Sequence, residues 1–242
     1  MFMRSEIVAI LVDGGFFQRR AKTLWGEKSG EERARELMDY CHRHLRHQVN
    51  HETQYDDLYR IFYYDCPPAD CNVYHPLHKK DINLKKTDLF AYMTAFHESM
   101  RHQRKVALRM GKLSANDLNY SLNLKAQKKL IRGEMQVSEL TDEDFTLNIG
   151  QKGVDMRIGI DIASMAFKRQ VTRIILISGD SDFVPAAKLA RREGIDFVLD
   201  PMGASISPDL SEHIDGITTQ IKSMPKKETA ASSATLNQTD GD

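Results

Sequence analysis

The sequence predicts an α/β fold with a mostly parallel central sheet. Short apolar, β-branched runs alternate along the chain with longer segments of helical periodicity, and this alternation is typical of strand–helix–strand units. Of the 242 residues, 41% are hydrophobic and 28% are charged, so the chain is long enough to bury one substantial core. No apolar run approaches the ~20 residues that cross a bilayer, and we expect no membrane partner.

The first half of the chain supplies strands and helices in turn. The run "EIVAILVDGG" (6–15) predicts a buried strand that the glycine pair stops. Apolar residues at four-residue steps predict a helix over 31–49. The run "LYRIFYYD" predicts a second strand at 58–65, and another apolar stripe predicts a helix at 86–103. Residues 105–113 are a further candidate strand.

The second half is readable except at its start. Residues 114–145 show the weakest pattern, and we expect a loop there with a helix around 121–132. The elements predicted after it are a strand at 145–149, a helix at 154–170, strands at 173–180 and 195–201 around a helix at 183–193, and a last helix at 209–221. Residues 224–242 have the composition of a disordered tail. The expected organisation is one domain over 1–223.

Positive charge is concentrated in one segment, although the net charge of the chain is zero. Residues 78–132 carry 13 lysines and arginines against four acids, a net charge of +9. We interpret this segment as a basic helical insertion of the domain. It is typical of a polyanion-binding face, with Lys79, Lys80, Lys85 and Lys86 as candidate nucleic-acid contacts. An ordinary solvated surface explains the lysines equally well.

The three cysteines, Cys41, Cys66 and Cys71, are odd in number and lack the spacing of a disulfide framework. This favours a reducing compartment, and the N-terminus lacks a cleavable signal pattern, so we expect a cytoplasmic protein. Cys66 and Cys71 precede His75 and His78 in "CPPADCNVYHPLH". These residue types suit zinc, but the spacing matches none of the common zinc fingers, and a histidine-bearing loop is the favoured interpretation.

Acidic side chains follow two predicted strands at the point where each strand ends. Asp13 ends the first strand, and Asp180 and Asp182 follow the apolar run in "RIILISGDSD". Ligands of open α/β sheets gather at the carboxyl ends of the strands, so these carboxylates meet at one edge if the two strands are neighbours. Asp155 is expected in the first turn of the 154–170 helix, where free backbone amides favour an acid.

Helix capping explains some of these acids but not the whole set. Asp180 or Ser181 can cap the helix that follows, and Asp155 can cap its own helix. Four acids at comparable positions repel one another unless a cation joins them. Hard divalent cations such as Mg²⁺ and Mn²⁺ take oxygen ligands. We therefore favour a metal site over a set of caps.

Asp161 follows Asp155 in the same predicted helix but on a different face. Six residues separate the two, which is about 240° around a helix. Beside Ile160 and Ile162, an unpaired acid would be costly. We expect Asp161 to be a hydrogen-bonding partner that supports the ligands or the fold, not a metal ligand itself.

Four motifs, in the order "ILVDGG", "YYDCPP", "KGVDMRIGIDI" and "LISGDSDFVP", resemble the NYN domain family, in the LabA-like branch of the PIN-like ribonuclease superfamily. The resemblance covers roughly residues 5–202. It implies a Rossmann-like, PIN-type three-layer fold, an acidic pocket that binds Mg²⁺ or Mn²⁺, and metal-dependent cleavage of RNA. Matched motif by motif, the catalytic and metal-binding set is Asp13, Asp155, Asp180 and Asp182.

In that function, Asp13 and Asp180 bind metal directly, and Asp155 binds a second metal or orients the attacking water. Asp182 binds metal directly or through a water. The candidate supporting or substrate-contacting groups are Ser178, Ser181 and Lys152. Single-stranded RNA is the expected substrate, because its exposed backbone can enter a pocket at a sheet edge.

Two other interpretations stay open. Many NYN members carry Asn three residues after the first Asp, where this chain has Phe16. This difference favours a PIN-like module that binds RNA or a protein partner without cutting, although the four acids argue against this interpretation. Metal enzymes of other classes fit worse: a Toprim-like nuclease has Glu on the first strand, and a haloacid-dehalogenase-like phosphatase has a second Asp where this chain has Gly15. A homo-oligomer is also left open.

Overall fold

The computed structural model describes residues 5–49 and 52–221. The strands are β1 (Ile7–Asp13), β2 (Arg46–Val49), β3 (Glu52–Tyr55), β4 (Asp57–Asp65), β5 (Asn72–His75), β6 (Lys80–Asn83), β7 (Val106–Met110), β8 (Lys112–Leu122), β9 (Phe145–Lys152), β10 (Arg173–Ile177), β11 (Asp196–Asp200) and β12 (Gly216–Ile217). The helices are α1 (Gly14–Trp25), α2 (Gly30–His44), α3 (Asp88–Arg101), α4 (Leu124–Ile131), α5 (Val154–Phe167), α6 (Val184–Arg192) and α7 (Pro208–Glu212). The tail predicted at 224–242 lies outside the described residues.

Six strands form one parallel sheet in the order β12-β11-β10-β1-β4-β7. From β1 the chain moves outward to β4 and β7, then returns to β10 on the other side of β1 and continues to β11 and β12. The strand order therefore reverses between β1 and β10. In an open α/β sheet, this reversal opens a crevice at the carboxyl ends of the two strands.

Helices cover both faces of the sheet, which gives the three layers expected from the sequence. Along β1, Ala9 and Leu11 belong to the core shared with α5 and α6. The alternate residues Val8, Ile10 and Val12 belong to the core shared with α1, α2 and α3. All five side chains are fully buried, as a strand between two helical layers requires. The mixed α/β class with a mostly parallel sheet is confirmed.

Antiparallel hairpins are added to this framework. β8 pairs with β9, β5 pairs with β6, and β5 also contacts β8. The basic segment 78–132 contains α3 and β7, which belong to the layers, together with β8 and α4. Within the described ranges, no helix combines the length and apolar character needed to cross a membrane.

β1 ends before the glycine pair, as predicted, but the pair begins the helix α1, which was not predicted. Asp13 caps this helix by accepting a hydrogen bond from the backbone N–H of Phe16. Gly14 is needed for space, because a Cβ at that position would lie 2.6 Å from the carbonyl oxygen of Tyr64. Glycine is therefore required at position 14 for the close approach to β4.

Three further predictions of local structure are wrong. The loop expected from 114 is the long strand β8, which pairs with β9. The helix expected at 31–49 ends at His44, and its last residues form β2. The helix expected at 209–221 ends at Glu212, after which β12 adds to the sheet beside β11. In each case strand pairing outweighs the local pattern.

Candidate active site

Asp13 stands at the end of β1 and is held by two hydrogen bonds. Its Oδ1 accepts the Phe16 N–H at 3.1 Å, and its Oδ2 accepts the hydroxyl of Ser178 at 3.2 Å. Burial raises the pKa of Asp13, and these two bonds oppose that rise. The carboxylate is thus fixed in place at an energetic cost, which is a common property of functional acids.

Asp180 and Asp182 lie in the turn that follows β10, which pairs with β1 in parallel. The adjacency of the two strands carrying Asp13 and Asp180 is confirmed. Oδ1 of Asp180 accepts the N–H of Asp182 at 3.0 Å, and the N–H of Asp180 donates to the Ser178 hydroxyl at 3.3 Å. Ser178 is fully buried, whereas Asp180, Ser181 and Asp182 are exposed. Ser178 therefore links the two strand ends from within the protein.

Asp155 lies in the first turn of α5, where the sequence places it. The helix begins after Gly153, whose φ of 78° is the left-handed conformation that favours glycine. Partial burial and the negative charges of Asp180 and Asp182 raise the pKa of Asp155, and the charge of Asp155 in turn raises the pKa of Asp13. The four predicted acids therefore share one negative field, and we call them the acidic cluster.

The acidic cluster is open. In residues 5–49 and 52–221, the single set of three candidate donor residues whose ligand atoms all lie within 4.8 Å of one another is His75, His78 and Asp142. No three acids of the cluster approach so closely in this described part.

Asp161 faces away from the acidic cluster, as its position in the helix predicts. Its Oδ2 accepts one hydrogen bond from the hydroxyl of Tyr64 and another from Nε of Arg109, each at 2.9 Å. Tyr64 belongs to β4 and Arg109 to β7. Asp161 therefore anchors α5 to two strands of the sheet, and this anchor fixes the orientation of the helix that carries Asp155.

A cavity of about 560 Å³ opens beside Gly15, at the start of α1. Its lining combines the polar side chains of Arg19 and Gln151 with apolar ones that include Phe90 and Leu147. A Cβ at Gly15 would lie 3.5 Å from Nη1 of Arg19 and 3.6 Å from Oδ1 of Asp13, so the cavity adjoins the acidic cluster. The positive charge of Arg19 lowers the pKa of Asp13.

Arg19 lies in α1, which was not predicted, so its place beside Asp13 was missed. Asp65, the last residue of the strand predicted at 58–65, was given no role. In the structure Asp65 is buried and engaged by structural hydrogen bonds. It accepts from the hydroxyl of Tyr63 at 3.0 Å and the backbone N–H of Cys66 at 2.7 Å, and it bonds Nε2 of His97 at 3.2 Å.

The predicted nucleic-acid contacts are all exposed lysines. Lys79 and Lys80 lie at the turn into β6, and Lys85 and Lys86 lie in the short 3₁₀ turn that precedes α3. Leu84 and Thr87, which flank Lys85 and Lys86, both line the cavity. Lys152 ends β9, immediately before the glycine that starts α5.

The Cys–His constellation does not assemble as one site. Cys66 is buried and Cys71 is exposed, whereas His75 and His78 come together with Asp142. These three side chains form a group that could hold a metal ion.

Phe16, which replaces the Asn of many NYN members, turns its ring toward Gly179. A Cβ at position 179 would lie 2.9 Å from the Phe16 ring.

The family model of the NYN domain matches residues 72–217. The chain belongs to the NYN domain family. NYN domains are PIN-like nucleases that generally act on RNA and typically depend on divalent metal ions, so this is a chain of a ribonuclease family. Asp155, Asp180 and Asp182 fall inside the matched residues, and Asp13 precedes them.

No curated protein matches the sequence. Among solved structures, the chain is similar to a protein of unknown function from Vibrio parahaemolyticus, at 14% identity over 90% of this chain and 94% of that one, with a TM-score of 0.45. It is also similar to a Sir2 mutant with a p53 peptide and NAD, at 12% identity over 88% of this chain and 87% of that one, with a TM-score of 0.30. Likenesses of this size carry no argument about function.

Proposed function

We propose that this NYN protein is a metal-dependent endoribonuclease that hydrolyses single-stranded RNA with Mg²⁺ or Mn²⁺. The observation that carries the proposal is the meeting of Asp13 and the Asp180 turn at the reversal of strand order, joined by the buried Ser178 hydroxyl. We assign the protein to the LabA-like branch on the motifs in its sequence. We place it in the cytoplasm because its three cysteines are free.

The acidic cluster fits a hard divalent cation. Its donors are carboxylate oxygens, which Mg²⁺ and Mn²⁺ prefer. Burial, together with the charges of neighbouring carboxylates, raises the pKa values of Asp13 and Asp155, and a cation would neutralise this negative charge. A bound metal would activate water and offset charge on the attacked phosphate. Asp13, Asp155 and Asp180 would hold it, with Asp182 binding directly or through a water.

The other groups bind and orient the RNA. The Arg19 guanidinium, beside Asp13 and at the cavity, is placed to hold a phosphate oxygen. Phe90 and Leu147 offer apolar surface on which an unpaired base can pack. Lys152 is a candidate contact for a flanking phosphate, and the exposed Ser181 hydroxyl is a candidate contact for the sugar–phosphate backbone. Ser178 is buried and acts by orienting Asp13.

The test is cleavage of labelled single-stranded RNA by the purified protein with Mg²⁺, with Mn²⁺ and with EDTA. We expect cleavage in either metal and none in EDTA. A covalently closed circular RNA has no end, so its cutting identifies endonucleolytic attack. Activity that persists in EDTA and in Asp180→Asn would show a contaminating nuclease and would contradict the proposal.

One observation favours a second function, a non-catalytic RNA-binding module. Phe16 replaces a polar side chain next to Asp13 and places its ring against Gly179. If the wild-type protein binds RNA in both metals without cutting it, while Phe16→Asn gains cleavage, the binding module is correct. Equal cleavage by the two proteins would exclude it.

A further inference from the structure

His75, His78 and Asp142 come from two distant segments of the chain. His75 ends β5, His78 lies in the turn between β5 and β6, and Asp142 begins the short 3₁₀ turn before β9. Nε2 of His78 lies 2.7 Å from Oδ1 of Asp142, and Nε2 of His75 lies 3.9 Å from the same oxygen. The two imidazole rings are 4.6 Å apart, centroid to centroid. The three side chains thus converge on one point.

His75 is buried, and its Nε2 faces Asp142 but lies beyond hydrogen-bond distance from it. The Nε2 atoms of the buried His44 and His97 instead bond carboxylates at 2.8 Å and 3.2 Å. Nδ1 is buried without a hydrogen-bond partner in both His75 and His44. A buried polar group without a partner costs free energy. A metal ion bonded at Nε2 of His75 would give that nitrogen the partner that Asp142, at 3.9 Å, does not supply.

Aromatic rings fix the imidazole of His75. Its ring centroid lies 4.3 Å from that of Tyr120 in β8 and 5.1 Å from that of Phe145 in β9. His78 and Asp142 are exposed, so the point where the three side chains converge is open to solvent on one side. A rigid buried donor beside two adjustable exposed donors is a suitable arrangement for capturing an ion from solution.

We infer that His75, His78 and Asp142 bind a zinc-type transition metal at a site separate from the acidic cluster. Two imidazoles and one carboxylate are a donor set typical of zinc, with a water as the fourth ligand. Ligands of a tetrahedral zinc lie about 3.3 Å apart, given bonds of about 2.0–2.1 Å, so the separations of 2.7 Å and 3.9 Å need only small adjustments. Nitrogen ligands also disfavour Mg²⁺.

The site would act as a clamp between two hairpins. His75 and His78 belong to the β5–β6 hairpin, and Asp142 belongs to the segment that leads into β9 of the β8–β9 hairpin. Leu147 and Ile149 of β9 line the cavity beside the acidic cluster. A metal at the clamp would therefore hold in place one wall of the proposed RNA-binding cavity, without taking part in the reaction.

The test is calorimetric titration of Zn²⁺ into the metal-stripped full-length protein in millimolar Mg²⁺, which occupies sites that contain only oxygen ligands. We expect one zinc per chain and a higher thermal unfolding midpoint with zinc. His78→Ala and Asp142→Asn should each weaken zinc binding by more than about tenfold. Both side chains are exposed, so these variants should fold.

Matched controls separate the clamp from surface binding. His102→Ala removes an exposed histidine that pairs with Glu98, and Glu143→Gln removes the acid next to Asp142; neither should change zinc binding. Asp180→Asn should also keep one zinc per chain, so the clamp can stand even if the proposed ribonuclease fails. Absence of zinc binding, or equal binding by wild type, His78→Ala and Asp142→Asn, would overturn the inference.

Discussion

The buried hydroxyl of Ser178 donates a 3.2 Å hydrogen bond to the Asp13 carboxylate across the β1–β10 pair. The same hydroxyl accepts the backbone N–H of Asp180 at 3.3 Å. One small side chain thus sets the relation between the two strand ends that carry the first and third acids of the cluster. Serine suits this position because its hydroxyl donates and accepts at once.

Replacing Ser178 should therefore weaken metal binding although Ser178 is not a ligand. In Ser178→Ala, Asp13 loses the donor that holds its Oδ2, so we expect Mn²⁺ affinity to fall by about tenfold, as for other groups that orient ligands. Calorimetric titration measures this. Ser181→Ala is the control for metal affinity, because the exposed Ser181 hydroxyl makes no hydrogen bond to Asp13. Equal losses in both variants would refute the positioning role.

Asp13→Asn should stabilise the metal-free protein at neutral pH by about 1 kcal/mol, because it removes a partly buried negative charge that serves function at the expense of stability. Burial raises the pKa of Asp13 above its ordinary value of 3.8, so the folded state binds protons more tightly than the unfolded state. The stability of the wild type therefore falls as the pH rises from the pKa of Asp13 in the unfolded chain to its higher pKa in the folded protein. Asn keeps the acceptor that caps α1.

Denaturant unfolding in EDTA across pH measures this gain. The advantage of Asp13→Asn over wild type should be small at acidic pH, where both states carry a protonated Asp13, and should reach its full value near neutrality. A variant that is less stable than wild type at every pH would show that the Asp13 charge stabilises the fold.

Asp161→Asn should lower stability by about 1 kcal/mol, because it weakens hydrogen bonds from Tyr64 and Arg109 that are partly open to solvent. Its cleavage rate should stay within about tenfold of wild type. Thermal unfolding and RNA cleavage on the same preparations separate the two effects. Loss of cleavage without loss of stability would place Asp161 in the reaction.

Neutralising Lys79, Lys80, Lys85 and Lys86 together to Gln should weaken RNA binding across sequences. The slope of log affinity against log salt should shrink by about 0.7 for each phosphate that these lysines contact. Neutralising Lys125, Lys128 and Lys129 on α4 is the comparison, because it removes similar charge elsewhere. Fluorescence anisotropy at several salt concentrations gives both slopes, and an unchanged slope in the fourfold variant would remove these lysines from the interface.

Elements of the fold and the site could be predicted from the sequence where a local pattern follows directly from a physical requirement. The apolar runs of β1 and β10 are buried on both faces, and only a central strand has that property. Asp155 could be placed because the first turn of a helix favours an acid. The position of Asp161 on a different helix face from Asp155 followed from helical geometry alone.

Features that depend on distant contacts could not be predicted. Position 14 requires glycine because of the nearby carbonyl of Tyr64, and nothing local to the sequence reports that neighbour. The strand β8 forms because β9 pairs with it across 22 intervening positions, 123–144. Arg19 and the His75–Asp142 approach depend on the same long-range packing, so both were found only in the folded chain.

The most direct test of the account is the single-turnover rate of RNA cleavage by Asp155→Asn in Mn²⁺, measured beside wild type and Asp161→Asn. Asp155 interacts with Asp13, Asp180 and Asp182 through its charge, so it is the acid that joins the cluster. We predict a rate at least about 100-fold below wild type for Asp155→Asn, equivalent to more than about 2.7 kcal/mol of transition-state stabilisation, with Asp161→Asn near wild type. A folded Asp155→Asn protein that cleaves at the wild-type rate would contradict the account.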